Sequence, residues 1–223
     1  MVKNFYLFLG TAVLAGFTVA PLHADPVSIC VGYNGGTCSV VASGNGSAAY
    51  TSTSNPDYSI LVAAGSGTPS NQEPTLALST LQTTSLSSSA TQLTVELTET
   101  GLTVPSPLPF ENSFAATQLT AAGISFANYI SNSNLAFDTT GTLIGSFNAS
   151  TAGASAMNTT SALNYTTPFS ETEVITVNFT GNGQTAQGQD MITSSPEPMS
   201  LGLLGGGLAA LGVLRFRKAR KQA

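Results

Sequence analysis

The chain has 223 residues, of which only 8% are charged, with six Lys and Arg against eleven Asp and Glu. All six cations lie outside residues 25–198 and all eleven carboxylates lie inside, so this central segment carries about −11 at neutral pH (eleven negative, no positive side chains). Nucleic-acid binding by the segment is excluded, because phosphate contacts need Lys or Arg.

The first 24 residues are predicted to be a secretory signal peptide. Lys3 is followed by an apolar stretch over residues 5–20, and Ala24 stands before Asp25. A charged start, a short apolar core and a small residue at the break are typical of a signal that signal peptidase removes. A retained membrane helix is the alternative. We therefore expect a signal peptide over 1–24 and an exported, acidic, Ser/Thr-rich domain over 25–194.

Two cysteines, Cys30 and Cys38, follow the signal closely. An even number of cysteines in an oxidising compartment favours a disulfide. The intervening Asn34-Gly35-Gly36 predicts a tight turn, which would set the cysteines nearly opposite each other on a short hairpin. Two free thiols are the alternative. No metal site is expected here, because a structural zinc would need four Cys or His ligands.

Two segments show the strongest strand pattern. In residues 92–98 the apolar side chains Leu93, Val95 and Leu97 alternate with polar ones, and residues 174–180 repeat the pattern with Ile, Val and Phe. Period-two alternation indicates a strand with one buried and one solvated face.

Turn-forming residues mark the ends of the remaining predicted strands. Gly181-Asn182-Gly183 predicts a hairpin with a returning strand over 184–192. Many short strands separated by Gly and Asn turns predict an all-β, antiparallel β-sandwich-like domain with Ser/Thr-rich loops. Weaker strands are predicted at 27–31, 39–42, 58–63, 135–138 and 143–147, and 76–86 is interpreted as strand rather than helix.

The C-terminal segment, residues 195–223, has three parts in order. Pro196-Glu197-Pro198 comes first, an apolar stretch over 199–214 second and a basic tail over 215–221 third. As a helix the apolar stretch would span about 24 Å, close to a bilayer core of about 30 Å. We expect one C-terminal transmembrane helix with the central domain outside, since basic residues stay in the cytoplasm. These basic residues are Arg215, Arg217, Lys218, Arg220 and Lys221.

This order of triplet, Gly-rich apolar stretch and basic end resembles the PEP-CTERM sorting signal of bacterial exported proteins. The resemblance implies that a membrane-embedded exosortase recognises and cuts the region of Pro196, Glu197 and Pro198. It implies an inner-membrane anchor before processing, then release to the cell surface or extracellular matrix. A plain membrane anchor is the alternative. Residues 93–102, 133–137 and 169–177 also resemble, less specifically, the central domains of such surface proteins, a class without an established activity.

Catalysis by the central segment is restricted to carboxylates, because its sequence offers no His or Lys base. The pairs Glu171/Glu173 and Glu96/Glu99 are the candidates for glycoside hydrolysis, and both are interpreted as solvated strand edges. No catalytic residue and no cofactor is assigned.

Calcium is considered at two loops, residues 55–57 and 138–141, but neither has a ligand-spaced motif. No metal ligand is therefore assigned.

Three hypotheses for function follow. The first is a non-enzymatic cell-surface or extracellular-matrix protein, with signal peptidase and exosortase as processing partners. The second is a carbohydrate-binding module of the biofilm matrix with exopolysaccharide as its partner, and the third is a carboxylate-only hydrolase. The chain has no Trp, the strongest stacking platform. The tyrosines that would offer stacking faces, mostly in predicted loops, are Tyr33, Tyr50, Tyr58, Tyr129 and Tyr165.

Overall fold

The computed structural model describes residues 26–66, 75–103 and 106–194. The predicted signal peptide, the Pro-Glu-Pro triplet, the transmembrane helix and the basic tail lie outside these residues. Within the described ranges no helix is long and apolar enough to cross a membrane. The strands are β1 Pro26–Tyr33, β2 Ser39–Asn45, β3 Ser47–Ser52, β4 Tyr58–Ser66, β5 Thr75–Ser85, β6 Gln92–Leu102, β7 Phe110–Leu119, β8 Gly123–Ser131, β9 Thr142–Ala149, β10 Ala154–Thr159, β11 Phe169–Asn178 and β12 Thr185–Ser194.

The strands form two six-stranded antiparallel sheets, which confirms the predicted all-β sandwich. Sheet A has the order β2-β1-β6-β11-β8-β9, and sheet B has the order β10-β7-β12-β5-β4-β3. The chain crosses repeatedly between the sheets, so that β5 faces β6, β7 faces β8 and β11 faces β12. The interior is therefore built from the inward side chains of strands that are neighbours in sequence.

Each side of the sandwich is closed by the chain itself. Edge strand β2 of sheet A runs directly into edge strand β3 of sheet B at Gly46, whose φ of +73° glycine adopts without strain. On the opposite side, β9 continues into β10 through a turn that includes Gly153 at φ +78°. These continuations cover edges that would otherwise expose unpaired backbone groups.

The strand predictions are largely confirmed. The alternating segments lie in β6 and β11, and the residues interpreted as strand rather than helix form β5. The predicted turn between β1 and β2 is present: Asn34 and Gly35 have φ of +53° and +76°, and the Gly36 N–H donates to the Tyr33 carbonyl at 2.8 Å. Two positive φ angles match the turn that twisted strands prefer.

The predicted hairpin at Gly181-Asn182-Gly183 is wrong. β11 belongs to sheet A and β12 to sheet B, so the segment is a crossing between sheets. The Gly183 N–H donates to the Ser85 carbonyl at 2.8 Å, and the Ser85 hydroxyl donates to the Gly181 carbonyl at 2.6 Å. These bonds hold the segment against the end of β5 and direct the chain into the opposite sheet.

The strand predicted at residues 135–138 is also wrong, because these residues form turns. Asn134 and Phe137 have φ of +52° and +58°, which a strand does not accommodate. The Asp138 carboxylate accepts hydrogen bonds from the Ser131 hydroxyl at 2.6 Å and from the Thr140 N–H at 2.9 Å. These side-chain bonds stabilise a turn where hydropathy alone favours a strand.

Two apolar clusters fill the space between the sheets. The larger, here called the main core, packs inward residues of both sheets, including Val95, Phe114, Phe126 and Ile175. The smaller, here called the distal core, lies at the other end of the same central strands. The distal core consists of Leu102, Phe110, Ile130, Ile144, Tyr165, Phe169 and Ile192.

Candidate functional site

A layer of buried polar side chains separates the main core from the distal core. Each of these side chains is at most 2% exposed. Four carboxyls, here called the carboxyl row, are joined by two amides, here called the amide pair. The carboxyl row is Glu99, Glu171, Glu173 and Asp190, and the amide pair is Asn112 and Asn128.

The alternation of β11 places two of these carboxyls inside. Ile175 belongs to the main core and Phe169 to the distal core. Glu171 and Glu173 occupy the inward positions between them and have no exposed surface. The prediction that this pair is a solvated strand edge is therefore wrong, because a period of two carries the inward face through both residues.

β6 repeats the arrangement next to β11. Glu99 follows Leu97 on the inward face and lies directly opposite Glu171 in the sheet register. Like charges in opposed positions destabilise a sheet, so two ionised carboxylates here would repel each other. Glu96, on the other face, is half-buried and opposes Cys30. The expected separation of Glu96 and Glu99 onto opposite faces is observed, but Glu99 is not solvated.

The amide pair connects the two sheets across the interior. Asn128 of β8 donates through Nδ2 to Asn112 Oδ1 of β7 at 3.1 Å and to Asp190 Oδ1 of β12 at 3.0 Å. Asn112 donates in turn to the Ile144 carbonyl of β9 at 3.1 Å. Asn128 is also the register partner of Glu173 on β11. The amides thus fix the carboxyl row relative to both sheets.

Several oxygens of this layer accept no hydrogen bond from a side chain, and the donors close to Glu171 and Glu173 are the backbone amides of Leu76, Leu78 and Ile192. These oxygens are both carboxyl oxygens of Glu171, both of Glu173, Oδ2 of Asp190 and Oδ1 of Asn128. Residues 24–198 contain no Lys, Arg or His that would neutralise them. Buried polar groups are normally hydrogen-bonded and buried charges normally paired, so ionised carboxylates here would carry a large desolvation cost.

The pKa values follow from this burial. Burial raises the pKa of Glu171 well above its usual range, the charge of Glu99 adds to the rise, and the backbone amide of Leu76 opposes it. Burial, then Asp190, then Glu171 raise the pKa of Glu173 in the same way. Burial also raises the pKa of Asp190 to about 7, against the hydrogen bond from Asn128. The row therefore favours protonated carboxyls.

The carboxyl pairs do not form a glycosidase site. A retaining or inverting enzyme places two carboxyls on either side of a substrate bond that is open to solvent. Glu171 and Glu173 have no exposed surface, and they face the interior from one strand. A substrate therefore has no route to them in this fold.

The predicted cysteine pair forms a disulfide in the structure, with a Cα–Cα distance of 5.5 Å. Cys30 lies in β1, and Cys38 stands directly before β2. A carboxylate oxygen of Glu96 and the two sulfurs lie within 4.8 Å of one another. Because the sulfurs are bonded to each other, they do not offer the thiolates that a metal would need.

The tyrosines do not form a shared stacking surface. Tyr58 and Tyr165 are buried. The prediction that most of the five tyrosines lie in loops is wrong, since four of them lie in strands and only Tyr165 does not. The hydroxyls of Tyr33 and Tyr50 are 3.5 Å apart at the sandwich edge. Burial, followed by the contact with Tyr50, raises the pKa of Tyr33 to about 12.

The two loops considered for calcium have local structural roles. Asn55 Oδ1 accepts the backbone N–H groups of Asp57 at 2.8 Å and Tyr58 at 3.1 Å, which forms the turn into β4. Asp138 accepts bonds within its own turn, and these bonds hold its pKa below the usual range. The Asn55 amide oxygen and the Asp138 carboxylate are thereby used in turn formation, and the Asp57 carboxylate accepts a hydrogen bond from the Ser87 hydroxyl.

A shallow trough of about 590 Å³ lies on sheet B along β3, β4 and β5. Two smaller depressions of about 300 and 220 Å³ continue it toward β12 and β7. The lining side chains are small or hydroxylated, among them Ser47, Ala49, Ala77 and Ser79. No aromatic residue contributes to the described lining.

The predicted sorting residues Pro196, Glu197 and Pro198 lie outside the described part of the chain, as do the cations of the basic tail. The last described residue, Ser194, is the final residue of β12 and pairs with Phe110 of β7. The last described strand thus ends two residues before the Pro-Glu-Pro triplet.

Comparisons with known proteins give only distant likenesses. No family model matches the chain, and no curated protein matches it. Among solved structures, one similar chain is TmCBM61 in complex with β-1,4-galactotriose, at 11% identity and TM-score 0.34, covering 66% of this chain and 99% of that one. Another is the PA14 sugar-binding domain of an RTX adhesin, at 12% identity and TM-score 0.33, covering 76% and 89%. A third is the K1 cleaved adhesin domain of Lys-gingipain from Porphyromonas gingivalis W83, at 9% identity and TM-score 0.34, covering 76% and 98%.

Proposed function

We propose that the protein is a non-enzymatic, exported surface or extracellular-matrix protein that an exosortase processes at its C-terminal segment. The observation that carries the proposal is the order Pro196-Glu197-Pro198, apolar stretch 199–214 and basic tail 215–221. This order suits a substrate that a membrane enzyme cuts while the apolar stretch holds it in the bilayer and the cations hold its end in the cytoplasm.

The bounds of the described strands are compatible with this proposal. The first strand begins at Pro26, two residues after the predicted signal-peptide break, and the last strand ends at Ser194, two residues before the triplet. β12 lies between β5 and β7 in sheet B, so both of its edges are paired. Cleavage after the triplet would therefore remove none of the twelve described strands.

The disulfide supports export. It links β1 to the segment before β2 across a separation of eight residues. Disulfides persist in oxidising surroundings outside the cytoplasm. The high negative charge of the central segment also suits a secreted protein, because mutual repulsion keeps it soluble.

Mass spectrometry of surface material tests the processing step. In a producing strain that carries an exosortase, we expect the mature chain to lack residues 201–223. Replacing Glu197 with Ala should leave the tail attached. The control Glu111→Ala, on the sandwich, should lose the tail as wild type does. An intact C-terminus on wild-type surface protein would remove the sorting proposal and leave a plain anchor.

Glycan binding is the second candidate function, and the trough on sheet B is the feature that favours it. Its depressions form a continuous surface across β3, β4, β5 and β12, with Ser79 and Gln189 as hydrogen-bonding groups. We expect saturable binding to an exopolysaccharide of the producing strain. Ala49→Glu, in the trough, should abolish this binding, and Tyr129→Ala, outside it, should not. Binding unchanged by Ala49→Glu would exclude the trough.

A further inference from the structure

The polar layer divides the interior at one level of five central strands. On β6, β7, β8, β11 and β12, an inward polar side chain stands between a main-core portion and a distal-core portion of the strand. The two apolar cores therefore meet through the carboxyl row and the amide pair along these strands. The carboxyls consequently lie where the two cores adjoin.

Ionised carboxyls add no hydrogen-bond donor to this layer. A carboxylate only accepts hydrogen bonds, whereas a protonated carboxyl also donates one. The carboxyl oxygens of Glu171 and Glu173, Asp190 Oδ2 and Asn128 Oδ1 accept no hydrogen bond from a side chain. Protons on the carboxyls would add side-chain donors to a layer in which the carboxyls of Glu171 and Glu173 otherwise have backbone amides alone.

We propose that the carboxyl row is a pH-dependent switch, in which protons held by Glu171, Glu173 and Asp190 join the main core to the distal core, and their loss as the pH rises loosens the distal core. The proposal does not depend on the protein's route of export or on its ligand. It assigns a conformational role to residues that otherwise have none.

The titratable groups around the row are few. β6 contributes Glu99, β12 contributes Asp190 and the loop before β11 contributes Tyr165, whose pKa burial and the charge of Glu171 raise to about 12. The facing parts of β5, β7 and β8 contribute no ionisable side chain. Around the row, no described group can therefore supply a positive charge as the pH rises.

The direction of the pH effect follows from the raised pKa values. Glu and Asp in an unfolded chain titrate at about 4. Between that pH and the higher pKa of each buried carboxyl, the folded protein holds a proton that the unfolded chain has lost. The stability that the protonated row contributes is thus fully present below about pH 4 and falls as the pH rises toward the folded-state pKa, which for Asp190 is about 7. Each such carboxyl raises the unfolding equilibrium constant about tenfold per pH unit in this window.

Hydrogen exchange measured by mass spectrometry on the full chain in a mild nonionic detergent tests the switch. Protection factors, which correct for the intrinsic pH dependence of exchange, are compared at pH 5.5, 7 and 8.5. We expect amides around Phe110 and Ile130, in the distal core, to lose at least tenfold more protection than amides of β1. Equal protection of the distal core at pH 5.5 and 8.5 would overturn the proposal.

A double variant and a matched control assign the effect to the row. Glu171→Gln with Glu173→Gln removes two titrations at nearly constant volume, and its distal core should keep protection within about threefold between pH 5.5 and 8.5. Glu111→Gln, on the outward face of β7, should behave as wild type. If the double variant retains the full wild-type loss of protection, the row is not the switch. Should that variant fail to fold, the wild-type pH profile alone decides.

A cation site is the competing outcome and is tested in the same samples. Each measurement at pH 8.5 is repeated with EDTA and with added CaCl₂. We expect no change. Restoration of distal-core protection by calcium in wild type, but not in the double variant, would overturn the proton switch and identify the row as a cation site.

Discussion

The main core and the carboxyl row lie side by side on the same strands, yet they are stabilised in opposite ways. Ile175 and Glu173 are neighbouring inward positions of β11, and both have no exposed surface. Burial of the isoleucine contributes favourable free energy in proportion to its apolar area at any pH. Burial of the glutamate costs free energy unless the carboxyl is protonated or hydrogen-bonded. One strand therefore carries a pH-independent region and a pH-dependent one.

The difference teaches that burial and hydrophobicity are separate properties of a strand position. The pleat decides which side chains face inward, and it places Glu171 inside as firmly as Val177. Chemistry then decides what that position contributes. The predictions below test the contrast between the two regions by changing one at a time.

The largest effect is expected in the main core. Phe114 is 1% exposed, and its ring centroid lies 5.8 Å from that of Phe126 and 6.1 Å from that of Phe147. Phe114→Ala leaves a cavity and should lower the free energy of unfolding by about 3–5 kcal/mol. Urea unfolding followed by circular dichroism should give the same loss at pH 5.5 and at pH 8. A loss that varies strongly with pH would break the contrast.

Removing the disulfide alters neither the main core nor the carboxyl row. Replacing both Cys30 and Cys38 with Ala should cost about 2.5 kcal/mol on the chain-entropy model, equally at both pH values. The same urea experiment measures this cost. Titration of the unfolded, unreduced wild-type protein should find no reactive thiol, and two thiols per chain would show that the bond does not form in the cell.

Replacing a carboxyl of the row with an apolar side chain should raise the free energy of unfolding rather than lower it. Glu173→Leu exchanges a buried ionisable group for an apolar one of similar volume, a change that is often neutral or stabilising. We expect a gain of about 2 kcal/mol at pH 8 and a smaller change at pH 5.5, where the wild-type carboxyl is protonated. A loss of stability at pH 8 would mean that the carboxyl stabilises the fold as an anion.

The Tyr58 hydroxyl is a buried polar group that does have hydrogen-bond partners, so it can be compared with the carboxyl row. Tyr58 lies in the main core, and its hydroxyl donates to the Gln92 carbonyl at 2.9 Å and accepts the Thr91 N–H at 3.1 Å. Tyr58→Phe should cost about 1 kcal/mol, the usual contribution of such bonds, with little dependence on pH below 9. A gain in stability would show that the hydroxyl resembles the carboxyl row after all.

The alternation that buries Glu99 is visible in the sequence, but the strand predicted over residues 92–98 is shorter than β6, which ends at Leu102. Leu93, Val95 and Leu97 predict the inward face of β6, and two more residues reach Glu99. Strand length is set by pairing partners, here β1 and β11, which one segment alone does not reveal. Charged residues usually prefer the surface, so an inward glutamate is not expected from the sequence.

Contacts between segments that lie far apart in the chain cannot be predicted from this sequence alone. The amide pair joins Asn112 to Asn128 across the two sheets, and nothing near either residue marks them as partners. The same holds for the crossing after β11, where Ser85, far away in the chain, redirects the backbone. In contrast, the turn at Asn34-Gly35 was predictable because its φ angles depend on the local residues alone.

The most direct measurement of the central claim is the side-chain carboxyl titration of the folded protein by ¹³C NMR. Glutamate labelled at Cδ reports protonation, and Glu171→Gln and Glu173→Gln assign the two signals. The account predicts that at pH 7 both carboxyls of folded wild type keep the chemical shift of the protonated acid, while the urea-unfolded chain titrates at about 4. Titration of both signals at about 4 in the folded protein would contradict it.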